Sequence, residues 1–108
     1  SARRSAALAF LLSGIGFQTS IARDGRDALA LLQSQTPLLV LLDLNLPFVS
    51  GVEVLSYIRA DERLSTTKVA VITANHYMAG EVQDRADIVL MKPIGFQDTR
   101  DLIARFMK

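Results

Sequence analysis

The sequence predicts one α/β domain built around a parallel β-sheet. Along the 108 residues, stretches with apolar residues at helical spacing alternate with short apolar runs, and this alternation is typical of βα units. Three of the runs end in a polar residue, at Asp43, Thr73 and Lys92. Short apolar runs between helices are typical of parallel strands buried on both faces, so these residues mark predicted strand ends.

The first part of the chain contains two predicted helices and two predicted strands. In order these are a helix within Ala6–Leu12 (Ala7, Leu8, Leu11, Leu12) that stops at Gly14 and Gly16, a strand at Phe17–Ala22, a helix around Ala28, Leu29 and Leu32, and a strand into Asp43. The helices depend on apolar residues at helical spacing, and the first strand depends on apolar–polar alternation. The second helix ends near Thr36, because the residue before a proline resists the α conformation.

The rest of the chain repeats the pattern. After a loop at Leu44–Ser50 come a helix at Gly51–Ala60, a strand into Thr73, two helical turns within Met78–Arg85, a strand into Lys92 and a helix at Phe96–Met107. We expect the first of these helices to bury Val52, Leu55 and Ile58, and the last to bury Leu102, Ile103 and Phe106. The apolar pattern of Asn75–Ala86 is weak. We find no strand pattern before the first helix.

The amino-acid composition of the chain excludes several classes of function. The chain has no cysteine, which excludes thiol redox chemistry and thiolate metal sites. The formal net charge is +1 with both signs scattered, so no basic stripe indicates direct nucleic-acid binding. Ala6–Leu12 is too short for a membrane span. We expect a soluble cytoplasmic domain with no membrane contact.

The three predicted strand ends carry complementary chemistry. In an open α/β sheet, ligands bind at the carboxyl ends of the strands. There Asp43 offers a carboxylate that can attack phosphorus, Thr73 a hydroxyl donor and Lys92 a cation. Mg²⁺ is the expected cofactor of such a transfer. The pattern therefore predicts a site that accepts a phosphoryl group.

Each residue also has a structural explanation. Asp43 could cap the next helix or form an Asx turn, Lys92 could be an ordinary strand-end lysine, and Thr73 is a common strand residue. Their shared position at the ends of three successive strands favours a site. Asp24 is better explained as a turn and helix start than as a metal ligand, and His76, the sole histidine, as an exposed loop residue.

These motifs resemble a known family. The segment from Asp43 to Gly51 resembles the D-x-x-[ML]-P-x-x-x-G signature of response-regulator receiver domains of two-component signalling. Thr73-Ala74 and Lys92-Pro93 resemble that family's other hallmarks, and Gly16-Phe17 with Ala22–Leu29 resembles its G-[FY]…A-x-[DN]-G-x-E-A-L stretch. The similarity covers essentially the whole chain.

The resemblance implies a flavodoxin-like sheet in the order 2-1-3-4-5 with helices on both faces, and no enzymatic activity of its own. Asp43 would be phosphorylated by a histidine kinase or phosphotransfer protein, and an output domain or partner protein would respond. Mg²⁺ would be held by Asp43 and the Asn45 carbonyl, and Lys92 would join Pro93 through a cis peptide. The switch and interaction positions would be Thr73, Ala74, Val89 and Pro93.

Three departures from the family follow. The family's first strand and the acidic pair after it would precede residue 1, so we expect the chain to be part of a longer protein, with a gap at the centre of its sheet. Val89 stands where the family has an aromatic switch residue, and Tyr77, more simply a half-buried tyrosine, is a possible substitute. The stretch from Thr73 to Lys92 is about one helical turn short.

Two other functions remain to be weighed. A receiver-like interaction module that is never phosphorylated would keep the fold and lose the metal site. A haloacid-dehalogenase-type phosphatase would also use a strand-end aspartate, a later threonine or serine and a lysine. It would, however, have a second aspartate where this chain has Asn45, so the phosphatase is disfavoured. The cognate kinase, the regulated process and the oligomeric state do not follow from the sequence.

Overall fold

The computed structural model describes residues 9–13 and 18–106. Within them the strands are β1 Ala9–Ser13, β2 Gln18–Ala22, β3 Leu39–Asp43, β4 Lys68–Thr73 and β5 Ile88–Met91. The α-helices are α1 Gly25–Ser34, α2 Gly51–Ala60, α3 His76–Val82 and α4 Phe96–Phe106. A short 3₁₀ helix, Glu62–Leu64, follows α2.

The strands form one sheet in the order β2-β1-β3-β4-β5. β3, β4 and β5 are parallel, and their register pairs Asp43 with Ile72 and Thr73 with Met91. Their carboxyl ends therefore meet at one edge of the sheet, which we call the site edge. The predicted α/β class is confirmed, and the strand order matches 2-1-3-4-5. The prediction of a parallel sheet is wrong for β1, which is antiparallel to both of its neighbours.

The N-terminal part of the chain differs from its prediction. The helix expected within Ala6–Leu12 is wrong for the described residues, because Ala9–Ser13 is a strand that lies between β2 and β3 and pairs with both. Its neighbours decide the outcome, because backbone N–H and C=O groups at the centre of a sheet need partners on both sides. The expected gap is thereby filled by the chain itself. The predicted stops Gly14 and Gly16 lie outside the described residues.

β1 runs antiparallel to both of its neighbours. Only residues 14–17 separate it from β2, whereas a parallel connection needs a dozen residues or more. Chain length therefore dictates the direction. Ala9, at the start of β1, is the register partner of both Ala22 and Leu42, so β2 ends at the site edge and β1 begins there.

The buried side chains lie on both faces of the sheet. On one face Val40 and Leu42 of β3 belong to a cluster with residues of α1, α2 and α3. On the other face Leu39 and Leu41 pack in a cluster that includes Leu102 of α4. β3 is thus buried on both faces, as its continuous apolar sequence predicts.

Details of the helices refine the predictions. In α2 the fully buried residues include Val54, Leu55 and Ile58, while Val52 is only half-buried. The two helical turns expected within Met78–Arg85 are present but begin and end earlier, because α3 covers His76–Val82 and begins after the cap residue Asn75. In α4 Leu102 is buried; the side chains of Ile103 and Phe106 lie outside the described parts.

Candidate functional site

Three polar side chains from separate strands meet at the site edge. Asp43 ends β3, Thr73 ends β4, and Lys92 follows β5. All three line one cleft of about 780 Å³. Residues that the sequence predicted to act together therefore share one cavity at the carboxyl ends of parallel strands.

Asp43 is the most enclosed charged group of the cleft. Its side chain is 5% exposed, and its Oδ2 atom lies 2.6 Å from the Nζ atom of Lys92. The Oδ1 atom accepts a hydrogen bond of 2.8 Å from the backbone N–H of Asn45. A buried carboxylate is costly without such partners, so the ammonium and the amide stabilise its charged form. Lys92 is 29% exposed, which leaves part of its side chain accessible from solvent.

Backbone hydrogen bonds hold these residues in place. Leu44 donates its N–H to the carbonyl of Ile72, and Lys92 donates its N–H to the carbonyl of Thr73. The loop after β3 closes where the Gly51 N–H meets the Leu44 carbonyl at 3.0 Å. A Cβ atom at Gly51 would collide with the backbone of Asp43 and Leu44. Glycine is therefore required at this end of the loop for steric reasons.

Thr73 is buried beside the Asp43–Lys92 pair in the cleft wall. Its side chain accepts a hydrogen bond of 3.0 Å from the backbone N–H of Asn75. The Asn75 side chain in turn accepts from the backbone N–H groups of Tyr77 and Met78, which caps α3. No role for Asn75 was predicted from the sequence, although an asparagine before a helical segment is a recognised N-cap signal.

The far wall of the cleft comes from the start of α3. Ala74, His76, Tyr77 and Met78 line it. Tyr77 is 78% exposed, so the expectation of a half-buried tyrosine is wrong. His76 is exposed as expected, but it is the first residue of α3 rather than a loop residue.

The remaining predicted positions lie around this cleft or in its supporting strand. Asn45 lines the cleft and is exposed, while Val89 is half-buried within β5. Lys92 and Pro93 are joined by a cis peptide, and Pro93 is exposed. Asp24 caps α1, where its side chain accepts from the Asp27 N–H at 2.8 Å. This agrees with its interpretation as a helix start.

Comparison with known proteins supplies the family. The model of the response regulator receiver domain matches residues 3–104. The chain belongs to this family. It is therefore a receiver domain of two-component signalling.

Individual relatives agree with this assignment. The DNA-binding response regulator MtrA of Mycobacterium tuberculosis is 34% identical over 98 residues, which are 91% of this chain and 42% of MtrA. This receiver domain thus spans less than half the length of that relative. The phosphorylated cyanobacterial phytochrome response regulator RcpA has a TM-score of 0.73 at 29% identity, covering 81% of this chain and 73% of RcpA.

A further solved receiver domain shares this fold. The receiver domain of the Pseudomonas aeruginosa sensor histidine kinase PA1611 coordinates magnesium in its active-site cleft; it has a TM-score of 0.70 at 24% identity, covering 80% of this chain and 73% of that one. In the present receiver domain the cleft offers the Asp43 carboxylate and the exposed Asn45. Mg²⁺ favours such hard oxygen donors and needs only one or two carboxylates when phosphoryl oxygens and water complete its shell.

The donor set is nevertheless small. Among the residues that the structure describes, no group of three or more His, Cys, Asp or Glu side chains is arranged to hold a metal ion. The Asp43 oxygens also already accept from Asn45 and Lys92. The cleft therefore offers Mg²⁺ a single carboxylate, that of Asp43, beside Asn45. Separately, none of the helices in the described ranges is long and apolar enough to span a membrane.

Proposed function

We propose that Asp43 is the phosphoacceptor of this receiver domain. The observation that carries the proposal is the 2.6 Å ion pair between the Asp43 carboxylate and Lys92, at the base of the cleft that Thr73 also lines. The donor would be a histidine kinase or phosphotransfer protein, and we propose that the transfer takes place in the cytoplasm.

The transfer is a substitution at phosphorus. A carboxylate oxygen of Asp43 forms a new bond to phosphorus while the bond from phosphorus to the donor breaks, and the leaving imidazole nitrogen or acetate oxygen keeps the electron pair. The product is an acyl phosphate. Because such transfers depend on positioning and charge stabilisation, the enclosed Asp43 side chain and the adjacent ammonium are the important features.

The neighbouring groups have distinct roles in this proposal. Lys92 would move its ion pair from the carboxylate to a phosphoryl oxygen, and Thr73 would turn its hydroxyl toward another, giving up its bond to the Asn75 N–H. Mg²⁺, when bound, supplies further neutralising charge, and Asp43 and the Asn45 carbonyl are the groups that would hold it. The cleft keeps these groups together before the donor arrives, which lowers the reorganisation that the transfer requires.

Phosphorylation would then change the surface at the start of α3. Because the Thr73 side chain accepts from Asn75, the cap of α3, movement of Thr73 would alter the start of α3 and the adjacent Ala74 and Tyr77. Val89 and Pro93 on the β5 side complete this switch region. A partner protein or a fused output domain would recognise it; MtrA, a DNA-binding relative, illustrates an output beyond the receiver part.

Mass spectrometry tests the proposal directly. We expect the chain incubated with acetyl phosphate and Mg²⁺ to gain one phosphoryl group, and the Asp43→Asn variant to gain none. Asp61→Asn is a matched control, because Asp61 caps the 3₁₀ helix after α2 and should leave the adduct unchanged.

The same experiment separates the alternative. If the folded chain gains no phosphoryl group even at high Mg²⁺ concentration, the function is that of a phosphorylation-independent interaction module. The single-carboxylate donor set is the observation that favours this second candidate. An adduct that persists in Asp43→Asn would show a different acceptor.

A further inference from the structure

The loop after β3 contains an unusual turn at Phe48. The Val49 N–H donates to the Pro47 carbonyl at 2.8 Å, and Phe48 between them has a φ of 67°. This three-residue hydrogen bond with a positive central φ is a γ-turn, a rare and strained conformation. Bulky side chains seldom adopt positive φ, and strain of this kind persists only where the surroundings hold it.

Contacts from the start of α1 hold the turn. The Gly25 N–H donates to the Pro47 carbonyl at 3.0 Å, and the Arg26 guanidinium carbon lies 3.6 Å from the centre of the Phe48 ring. Phe48 is 71% exposed, so the hydrophobic core does not fix its ring. The cation–π contact with Arg26 therefore holds the ring at the surface, and such contacts stabilise exposed rings modestly.

Glycine at position 25 makes this approach possible. A Cβ atom at Gly25 would collide with the backbone of Val49. The first turn of α1 and the loop are consequently in direct backbone contact. The N-cap Asp24, whose side chain accepts from the Asp27 N–H, orients this turn of the helix.

The loop that contains this turn begins next to Asp43, the proposed phosphoacceptor. Between Asp43 and the turn lies Asn45, whose backbone N–H donates to the Asp43 Oδ1 atom. At its two ends the loop is already closed by the hydrogen bond between Gly51 and Leu44. In the middle of the loop Leu46 is buried in the core cluster, and the backbone hydrogen bond between Gly25 and Pro47 joins this part of the loop to α1.

We propose that Arg26 and Phe48 form a clamp that positions the acceptor loop, and through Asn45 the Asp43 carboxylate, for phosphoryl transfer. Both are positioning residues, since neither lines the cleft. The clamp keeps the Asn45 N–H directed at the Asp43 carboxylate. This inference deepens the proposed function and depends on it for its kinetic consequence.

Two substitutions open the clamp without touching the core. Arg26→Met removes the cation and keeps the length of the side chain, and Phe48→Leu removes the aromatic face and keeps an apolar group. We expect each to lower the maximal rate of Asp43 phosphorylation by acetyl phosphate about two- to fivefold, the size of an exposed cation–π contact. The acetyl phosphate concentration at half-maximal rate should change less than the maximal rate.

Matched variants separate positioning from charge and folding. Arg23→Met removes the same charge from an exposed arginine just after β2 and should leave the rate unchanged. Arg26→Lys and Phe48→Tyr keep a cation and an aromatic ring, so each should recover most of the wild-type rate. The double variant Arg26→Met/Phe48→Leu should lose no more than either single variant, because both remove the same contact.

Amide hydrogen exchange gives a readout that does not need phosphorylation. We expect the Asn45 N–H to exchange faster in Arg26→Met and Phe48→Leu than in the wild type, with exchange in β3 unchanged. The clamp would be refuted if the Asn45 N–H exchanged at the wild-type rate in both variants. It would also be refuted if Arg23→Met lowered the phosphorylation rate as much as Arg26→Met does. Absence of any adduct in the wild type would instead refute the proposed function, while the exchange result would still decide whether the clamp exists.

Discussion

β1 and β3 are neighbours at the centre of the sheet, yet they contribute different things. β3 runs parallel to β4 and ends at the site edge in Asp43. β1 runs the opposite way, so its first residue, Ala9, lies at that edge beside Leu42. An antiparallel strand at this position still forms the backbone hydrogen bonds that its neighbours need. Its carboxyl end, however, lies at the edge opposite the site edge.

This difference bears on the metal site. By resemblance, an acidic pair would follow the family's first strand and reach the same edge as Asp43. In the described chain the position between β2 and β3 is occupied by β1, whose carboxyl end, Ser13, lies far along the strand from Leu42. Completing a sheet and completing a site are therefore separate requirements, and β1 meets only the first.

The largest expected loss of stability comes from a substitution in β3. Leu42 is fully buried, and Leu42→Ala should lower the free energy of unfolding by about 2–5 kcal/mol, because it removes apolar contacts and leaves a cavity. Leu38→Ala, at a leucine 47% exposed just before the strand, should cost less than about 1 kcal/mol. Urea unfolding measures both, and equal losses would contradict the assignment of β3 as the buried central strand.

A smaller effect is expected at the end of β5. Lys92→Met leaves the Asp43 carboxylate without its ammonium partner, and we expect a loss of about 1–3 kcal/mol in stability, reduced from that of a fully buried pair because Lys92 is part-exposed. Phosphorylation by acetyl phosphate should also fall at least about tenfold, as expected for loss of a charge that acts in the transfer.

Lys68→Met is the control for that experiment. Lys68 is an exposed lysine at the start of β4, at the edge opposite the site. Its substitution should leave both stability and phosphorylation unchanged. A Lys92→Met variant as stable and as readily phosphorylated as Lys68→Met would show that the ion pair contributes nothing to the site.

The smallest expected change in stability comes from a disulfide that tests the pairing of β1 with β2. Leu11 and Ser20 are register partners across β1 and β2, and directly opposed residues of antiparallel strands lie within disulfide range. In this cysteine-free chain, Leu11→Cys/Ser20→Cys should cross-link on oxidation and gain about 1–2 kcal/mol in stability. Leu11→Cys/Gln18→Cys, offset along β2, should cross-link poorly; equally efficient cross-linking would contradict the antiparallel register.

Local sequence signals were sufficient to predict a helix or strand where residues at its own ends mark its boundaries. The prediction of a helix at Gly51–Ala60 is confirmed to the residue, and Ser50 and Glu53 form a reciprocal capping box at its start. The strand into Asp43 is also confirmed, one residue shorter at its start than the apolar run from Leu38, because a short continuous apolar run is typical of a buried strand. α3 was misplaced because its start is marked by Asn75 rather than by an apolar stripe.

The sequence by itself determined the parallel β3–β4–β5 unit and the three polar residues at its end, because burial pattern and strand ends are encoded within a few adjacent residues. Only the tertiary structure decided that Ala9–Ser13 is a strand, that Tyr77 is exposed, and that Arg26 stacks on Phe48. Each of these depends on contacts between segments that are apart in the chain. Periodicity and spacing describe a segment's own preferences, whereas its partners determine which preference is satisfied.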